Sequence, residues 1–287
     1  MFPIKPKVIK QVYLDNAAAV SMDARALSAM KPYFSNVYAN PSSLYSLGVK
    51  AKLAVSASRS LIAKILCAQP DTIIFTSGGT EGNNTAIFGM RMIYECRLSR
   101  ERVKKPHIIT TRVEHDSVVR PIEQLIKEGF AITYLDVDKY GFVTPEQVKK
   151  ALRKETILVS IIYANNEIGT VEPIADIGRE ILKWRVVKKT PYPYFHTDAC
   201  QAPGAFDLSV ERMHVDLMTL NSGKISGPKG SGVLYKRRGV VLSPLLYGGR
   251  QEFGQRAGTE NVHGIVGFAK ALELVHQKRE KEKVRLI

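Results

Sequence analysis

Short apolar segments alternate with longer amphipathic segments from residue 73 onward. Seven segments have the length and the β-branched content of buried strands: residues 73–76, 107–111, 131–135, 157–163, 194–198, 217–220 and 231–235. Helical spacing of apolar residues fills most of the intervals: residues 80–94, 117–128, 145–153 and 173–184. Apolar strands that alternate with helices indicate a mostly parallel sheet covered on both faces. The pattern therefore predicts an α/β fold with three layers and a mostly parallel, seven-stranded sheet.

Both ends of the chain carry further elements. Residues 13–19 predict a short strand that runs into a turn, and residues 49–66 predict a helix. Residues 260–287 have helical spacing, become highly charged, and end without glycine, proline or a cap. This last helix stops in mid-pattern, which predicts that the chain is cut before its next domain. We expect an N-terminal arm over residues 1–20, a large domain over 21–265, and over 266–287 the start of a helix that leads to a small C-terminal domain.

Composition places the chain among soluble globular proteins. It has 287 residues, of which 45% are hydrophobic and 24% charged. No apolar run reaches the length of a membrane span, and the N-terminus lacks the apolar core of a signal peptide. Cys67, Cys96 and Cys200 form no CxxC pair, which argues against a disulfide framework or a metal site. We therefore expect a cytoplasmic protein that binds no metal and no membrane.

The net charge of +15 is large enough to suggest nucleic acid as a partner. However, the lysines and arginines are dispersed over several segments, and no basic motif interleaved with aromatic residues accompanies them. Solvated helix faces explain this distribution better, so we expect no nucleic-acid partner. The positive charge is also compatible with an acidic partner or an anionic substrate.

Residues 217–235 hold the strongest candidate for chemistry. An apolar strand leads to Lys224, a glycine-rich turn follows, and residues 231–235 resume as a strand. A lysine between two buried strands loses water, which favours the neutral amine that attacks a carbonyl. A surface hairpin with a solvated lysine is the commoner structure for such a stretch taken alone.

The other strand ends carry complementary groups. Residues 77–83 (SGGTEGN) follow a strand and open a helix, so their free N–H groups suit a phosphate; no GK[ST] follows, which excludes a P-loop. Asp198 ends another strand, where a protonated pyridine nitrogen would pair with it. His115 and Asn166 follow two further strands. An imine-forming lysine, a pyridinium partner and a phosphate site together are what pyridoxal phosphate requires.

Eight short motifs follow one another along the chain: YLDNAA, NPSS, TSGGTEGNN, VEH, NNEIGT, DACQA, SGKISGPKGSG and GGRQEFGQRAGTEN. By their order and spacing, the sequence resembles the cysteine desulfurases, fold-type I pyridoxal phosphate (PLP) enzymes of the class V aminotransferase family. The resemblance runs from Tyr13 to about Gly267 and points to the branch that serves iron–sulfur cluster assembly. It implies the PLP-binding large domain of a homodimeric enzyme. That enzyme converts L-cysteine to L-alanine and passes the sulfur to one of its own cysteines, and then to an acceptor or iron–sulfur scaffold protein.

The resemblance also implies roles around the cofactor ring. Lys224 matches the lysine that carries PLP covalently, and His115 matches the histidine that stacks on the ring and assists proton transfer. Asp198 matches the partner of the pyridine nitrogen. Gln201 matches the donor to the ring oxygen, and Asn166 matches the asparagine near that oxygen and the substrate carboxylate.

The implied phosphate site departs from the family pattern. Its matching residues are Gly79, Thr80, Asn221, Ser222 and, donated to the neighbouring subunit, Thr259. Family members usually carry serine at the position of Asn221 and histidine at Gly223. Asn221 can still donate and Ser222 can compensate, but Gly223 offers only its backbone, so we expect a weaker grip on phosphate.

A second departure concerns sulfur transfer. In the family, the sulfur-accepting cysteine and the arginine that binds the substrate carboxylate lie beyond the residue where this chain ends. None of Cys67, Cys96 and Cys200 matches the nucleophile, so we expect three structural thiols and a chain that is inactive alone. Two alternatives stay open: a selenocysteine lyase or other class V PLP enzyme, and a non-catalytic PLP-binding scaffold.

Overall fold

A computed structural model describes residues 12–91 and 105–286. Its seven strands are β1 (Ile73–Thr76), β2 (His107–Thr111), β3 (Ala131–Leu135), β4 (Thr156–Ser160), β5 (Tyr194–Asp198), β6 (Leu217–Asn221) and β7 (Gly232–Lys236). They form one sheet in the order β1-β7-β6-β5-β4-β2-β3. Strands β2 to β6 pair in parallel, whereas β7 runs antiparallel to both β1 and β6. The predicted seven-stranded, mostly parallel sheet is confirmed.

The described helices are α1 (Ala24–Met30), α2 (Pro32–Ser35), α3 (Ser46–Ile65), α4 (Gly79–Phe88), α5 (Asp116–Lys127), α6 (Pro145–Ala151), α7 (Ile174–Lys188), α8 (Val210–Met213) and α9 (Val262–Leu286). Helices α3 to α7 and α9 agree with the sequence pattern within a few residues. Residues 92–94, at the end of the predicted helix 80–94, lie outside the described residues. None of the described helices combines the length and the apolar character of a membrane span.

One detail of the sequence prediction is wrong. Residues 13–19 form no strand, because Asp15 instead closes a turn by accepting hydrogen bonds from the N–H of Ala18 at its backbone and side-chain oxygens. Helix α9 begins at Val262, close to the predicted start at residue 260, and the division of the chain into domains stays a prediction.

Two apolar cores lie on the two faces of the sheet, because successive strand residues point to opposite sides. On β4, for example, Val159 belongs to the core with α3, α7 and α9, and Leu158 to the core with α4 and α5. The three-layer arrangement is thereby confirmed. It also brings the carboxyl ends of β2, β4, β5 and β6 to one edge of the sheet, where α/β folds bind ligands.

Candidate active site

A cavity of about 380 Å³ opens at this edge. Eight of the ten predicted site residues line it: Gly79, Thr80, His115, Asn166, Asp198, Gln201, Asn221 and Lys224. They come from segments up to 145 residues apart in the chain, counted from Gly79 to Lys224 (224 − 79). Parallel strand ends bring them together, as the sequence pattern predicted.

The other two predicted residues lie elsewhere. Ser222 is fully buried, and its hydroxyl lies against Gly227, where an added Cβ would be 2.1 Å from Oγ. Ser222 begins a 3₁₀ turn after β6 and does not line the cavity. Thr259 is exposed and lines a separate groove beside Ser77 and Arg256. Within this chain, neither residue contributes to the cavity.

Lys224 ends the short 3₁₀ helix Ser222–Lys224 that follows β6. Its Nζ donates hydrogen bonds to the carbonyl oxygens of Ala17, at 2.6 Å, and Ala18, at 2.8 Å. The side chain is half-buried, so these two carbonyls replace water around the ammonium group, a contact that the sequence did not predict. Gln201 Nε2 donates to the same Ala17 oxygen at 2.9 Å. The N-terminal turn therefore forms one wall of the cavity.

Asp198 lies buried at the carboxyl end of β5. Its Oδ1 accepts from the backbone N–H of Cys200 at 2.9 Å, and its Oδ2 accepts from Asn83 Nδ2 at 2.6 Å. Asn83 is fully buried on α4 and was missed by the sequence analysis. These two donors fix the carboxylate, because an ionised carboxylate only accepts hydrogen bonds.

His115 is the N-cap of α5, with its ring at the mouth of the cavity. Its Nδ1 accepts from the backbone N–H of Ser117 at 3.0 Å and lies 2.7 Å from Ser117 Oγ. Ser117 Oγ also accepts from Asn83 Nδ2 at 2.8 Å. The imidazole is thus held by its own helix and cannot rotate freely.

The N-terminus of α4 provides the candidate phosphate site. Its first N–H groups have no intrahelical acceptor, and Gly78 at the N-cap offers no side chain to bond them. A Cβ on Gly79 would lie 2.6 Å from Cys200 Sγ, so only glycine fits at this wall. The nearby Asn221 uses Oδ1 to accept from Gly223 N–H at 3.3 Å, which leaves its amide nitrogen as a donor. The open helix end and this amide suit an anion.

Cys200 lines the cavity but has the properties of a structural thiol. Its side chain is buried, and this burial, together with the nearby Asp198 carboxylate, raises the pKa of the thiol well above its ordinary value. Because the thiolate is the nucleophile, such a thiol is inert. Cys67 is exposed after α3, and Cys96 lies outside the described residues.

A second carboxyl group lies just behind the cavity. The Oε1 of Glu114 accepts from the N–H of Ile162 at 2.9 Å and from Thr111 Oγ1 at 2.8 Å. Burial, with a smaller contribution from the Asp198 and Glu172 carboxylates, raises its pKa to about 8. Glu114 lies in the VEH motif, yet sequence reasoning gave it no role because its neighbour His115 was the obvious candidate. It joins the ends of β2 and β4, and so supports the segment that carries His115.

Asn165 and Asn166 divide their roles. Asn165 holds its loop, since its Nδ2 donates to the carbonyl of Val113 at 2.9 Å and its Oδ1 accepts from the N–H of Glu167 at 2.8 Å. Asn166 is left to line the cavity. Asn166, the residue predicted from the sequence, is thus the one that lines the cavity.

Comparison with known proteins agrees with this geometry. Residues 12–286 match the family Aminotransferase class-V. The chain is 46% identical over 277 residues to "Cysteine desulfurase IscS" of Dictyoglomus turgidum, covering 96% of this chain and 67% of that protein. The chain thus spans about two thirds of that relative's length.

Solved structures of other proteins share this fold. A structure described as a NifS-like protein superposes with a TM-score of 0.87 at 38% identity, covering 94% of this chain and 71% of the other. A structure titled "SspA in complex with cysteine" superposes with a TM-score of 0.83 at 36% identity, covering 96% of this chain and 78% of the other. Sequence, fold and the lysine-bearing cavity together show that this chain belongs to the class V aminotransferase family and, within it, to the cysteine desulfurases.

Proposed function

We propose that the cavity beneath α4 binds pyridoxal 5′-phosphate and L-cysteine, and that Lys224 carries the cofactor. The observation that supports this most strongly is the convergence on one cavity of a lysine amine, a buried carboxylate and an open helix N-terminus. The reaction is the conversion of L-cysteine to L-alanine, with the sulfur passed to an enzyme cysteine for iron–sulfur cluster assembly.

The residues present fit this cofactor at each of its polar groups. The N-terminus of α4 and the amide of Asn221 suit the phosphate. Asp198, buried and oriented by two donors, suits the ring nitrogen. Gln201 and Asn166 suit the ring oxygen and the substrate carboxylate. When bound, the cofactor supplies the electron sink that allows an amino acid to lose its Cα proton.

Each residue then has a defined task. Asp198 keeps the ring nitrogen protonated, because a buried carboxylate stabilises a positive charge beside it. Lys224 leaves the carbonyls of Ala17 and Ala18 before it takes the cofactor, since those contacts occupy Nζ. His115 lies over the cavity, where it orients the reacting amino acid.

The sulfur acceptor is a cysteine other than Cys67 and Cys200. Cys200 is held protonated by burial, and Cys67 does not line the cavity. The acceptor therefore comes from outside the described residues, which agrees with the family expectation of a cysteine on a distant loop.

The complete enzyme is proposed to be a cytoplasmic homodimer that passes sulfur to an acceptor or scaffold protein. Apolar side chains are exposed at Tyr45, which precedes α3, at Leu53 on α3, and at Phe253 on the segment Gln251–Gly254. Arg59 ties these two elements together, because its guanidinium bonds Glu252 at 2.6 Å and lies over the Phe253 ring. Such a surface suits burial against a second copy, which would bring Thr259 to that copy's phosphate site.

Exchange of the Cα hydrogen tests the proposal without requiring the sulfur acceptor. The chain is loaded with PLP and incubated with L-cysteine in D₂O, and deuterium at Cα is followed by mass spectrometry. We expect exchange by the wild type and none by Lys224→Ala, with Lys229→Ala, an exposed lysine in the same turn, as the matched control. Equal exchange by wild type and Lys224→Ala would refute the function.

A further inference from the structure

Three hydrogen bonds connect Asp198 to His115 through two residues to which the reaction has assigned no role. Asn83 Nδ2 lies 2.6 Å from Asp198 Oδ2 and 2.8 Å from Ser117 Oγ, and Ser117 Oγ lies 2.7 Å from His115 Nδ1. Asn83 is 0% exposed and Ser117 is 7% exposed, so water does not compete for these bonds. The two groups that flank the cofactor site are therefore physically linked.

The direction of these bonds follows from Asp198. A carboxylate offers only acceptors, so the Asn83 amide must turn its nitrogen, and not its oxygen, toward Asp198 Oδ2. The same nitrogen has a second hydrogen, which it gives to Ser117 Oγ. In the described part of the chain, Asn83 Oδ1 is buried without a partner. Leaving an acceptor unpaired is costly, which indicates that Asp198 and Ser117 dictate how the amide is turned.

The proton positions at His115 then follow. Because Ser117 Oγ accepts from Asn83, its own hydrogen is free to be donated, and His115 Nδ1 is the acceptor within reach. The backbone N–H of Ser117 donates to the same nitrogen at 3.0 Å, and a backbone N–H cannot reverse its role. Two donors aimed at Nδ1 leave no room for a hydrogen there. In the neutral ring the proton therefore sits on Nε2.

We propose that Asn83 and Ser117 are positioning residues that fix His115 as the Nε2–H tautomer and tie its orientation to that of Asp198. His115 then acts in the cavity as a hydrogen-bond donor from Nε2, as a neutral imidazole can when it polarises a substrate atom. The role in the reaction rests on the proposed function, whereas the tautomer is a property of the chain itself.

The tautomer can be measured in the cofactor-free chain. Histidine ring nitrogens are labelled with ¹⁵N and observed by NMR at a pH where the ring is neutral, and His115 is assigned by the loss of its signals in His115→Gln. We expect a protonated Nε2 and an unprotonated Nδ1 in the wild type. Asn83→Leu and Ser117→Ala weaken or remove the hydroxyl donor to Nδ1 but keep the backbone N–H of residue 117, so the Nδ1 signal should move part of the way toward the value of a tautomer mixture. Thr85→Val, which removes a different buried hydrogen bond from α4, should leave both signals unchanged.

Two results would overturn the proposal. One is a wild type with the proton on Nδ1 or divided between the nitrogens; this test remains even if Asn83→Leu fails to fold. The other is a folded Asn83→Leu whose His115 signals match the wild type.

Exchange kinetics of the loaded chain add a second readout. Ser117→Ala should lower the Cα exchange rate of L-cysteine about fivefold, the effect of one neutral hydrogen bond, with little change in KM. Ser117→Thr, which keeps the hydroxyl, should restore most of the rate. Unaltered kinetics in Ser117→Ala would contradict the role in the reaction, whereas a wild type without exchange would instead contradict the proposed function.

Discussion

Lys224 Nζ lies 2.6 Å from the carbonyl oxygen of Ala17, so the amine that is to carry the cofactor is bound to the N-terminal turn. The same turn is anchored to the lysine segment by the hydrogen bond from Val20 N–H to the carbonyl of Gly223. An amine attached to a cofactor cannot keep both carbonyl contacts. The N-terminal turn and the cofactor therefore compete for the Lys224 amine.

Loading with PLP should loosen this turn. We expect the amides of Ala18, Ala19 and Val20 to exchange with D₂O several times faster in the loaded chain than in the cofactor-free chain, as measured by hydrogen-exchange mass spectrometry. Amides of the buried strand β4 serve as the internal control and should not change. Equal or slower exchange of the turn on loading would show that the turn and the cofactor do not compete for Lys224.

Replacement of Asp198 by asparagine should remove the charge that holds the ring nitrogen protonated. Because a hydrogen bond to a charged group contributes about 1.5–3 kcal/mol, the Cα exchange rate of L-cysteine should fall roughly 10- to 150-fold while PLP is retained. The matched control is Asp207→Asn, a partly exposed carboxylate outside the cavity. A rate like that of the wild type in Asp198→Asn would exclude this role.

Stability should fall as pH rises from 6.5 to about 8. Burial raises the pKa of Glu114 to about 8 and that of Glu172 to about 7, so the folded chain binds protons that the unfolded chain releases. Each extra proton lowers the free energy of unfolding by at most about 1.4 kcal/mol per pH unit, and the loss ends above the folded pKa. Buried His107 and His196, whose pKa burial lowers to about 4, act in the opposite direction only below pH 6.5.

The variant Glu114→Gln isolates the Glu114 contribution. It cannot ionise, so the slope of its unfolding free energy between pH 6.5 and 8 in urea titrations should be shallower than that of the wild type. Glu123→Gln, on the exposed face of α5, should keep the wild-type slope. A Glu114→Gln slope as steep as that of the wild type would show that Glu114 is already ionised in the folded chain.

A buried ion pair lies at the edge of the sheet opposite the cavity, where the strands begin. Arg185 on α7 bonds the carboxylate of Asp216, which is 1% exposed and also accepts from the N–H of Phe195 at 2.7 Å. Removing one partner of such a pair leaves an uncompensated buried charge, so Arg185→Met should destabilise the chain by about 3 kcal/mol in urea unfolding. This is the lower end of the usual range, since Arg237 also contacts Asp216.

The control for this pair lies on the same helix. Arg179→Met removes an exposed pair with Asp176, which should cost less than about 1 kcal/mol. Similar losses in the two variants would mean that burial does not govern the Arg185 pair.

Sulfur release by the 287-residue chain should be inefficient. Positioning of reacting groups can account for about 7–11 kcal/mol of a barrier. Of the two described cysteines, Cys67 does not line the cavity, and the raised pKa of Cys200 keeps that thiol protonated. The chain should therefore yield far less sulfide and alanine from cysteine and dithiothreitol than a version extended with a family C-terminal domain. Comparable turnover by both would point to a cysteine of this chain as the nucleophile, with Cys200 the first to mutate.

The strands and the main site residues could be predicted because apolar periodicity fixes the sheet and parallel strands end at one edge. Asn83 could not be distinguished from Asn84 in this way. Both are polar residues within one helix, and only the packing of α4 on the sheet buries the first completely and leaves the second half-buried. Ser222 was predicted to compensate for lost phosphate contacts, yet it is fully buried in a 3₁₀ turn and does not line the cavity. Local sequence did not reveal these orientations because tertiary packing determines them.

The central claim is that Lys224 carries the cofactor, and covalent labelling tests it most directly. The chain is incubated with PLP, reduced with borohydride, digested and mapped by mass spectrometry. We predict the pyridoxyl label on Lys224 alone, and no label in that peptide for Lys224→Ala. A label on Lys229, or equal labelling of several surface lysines with Lys224 unmodified, would contradict the account.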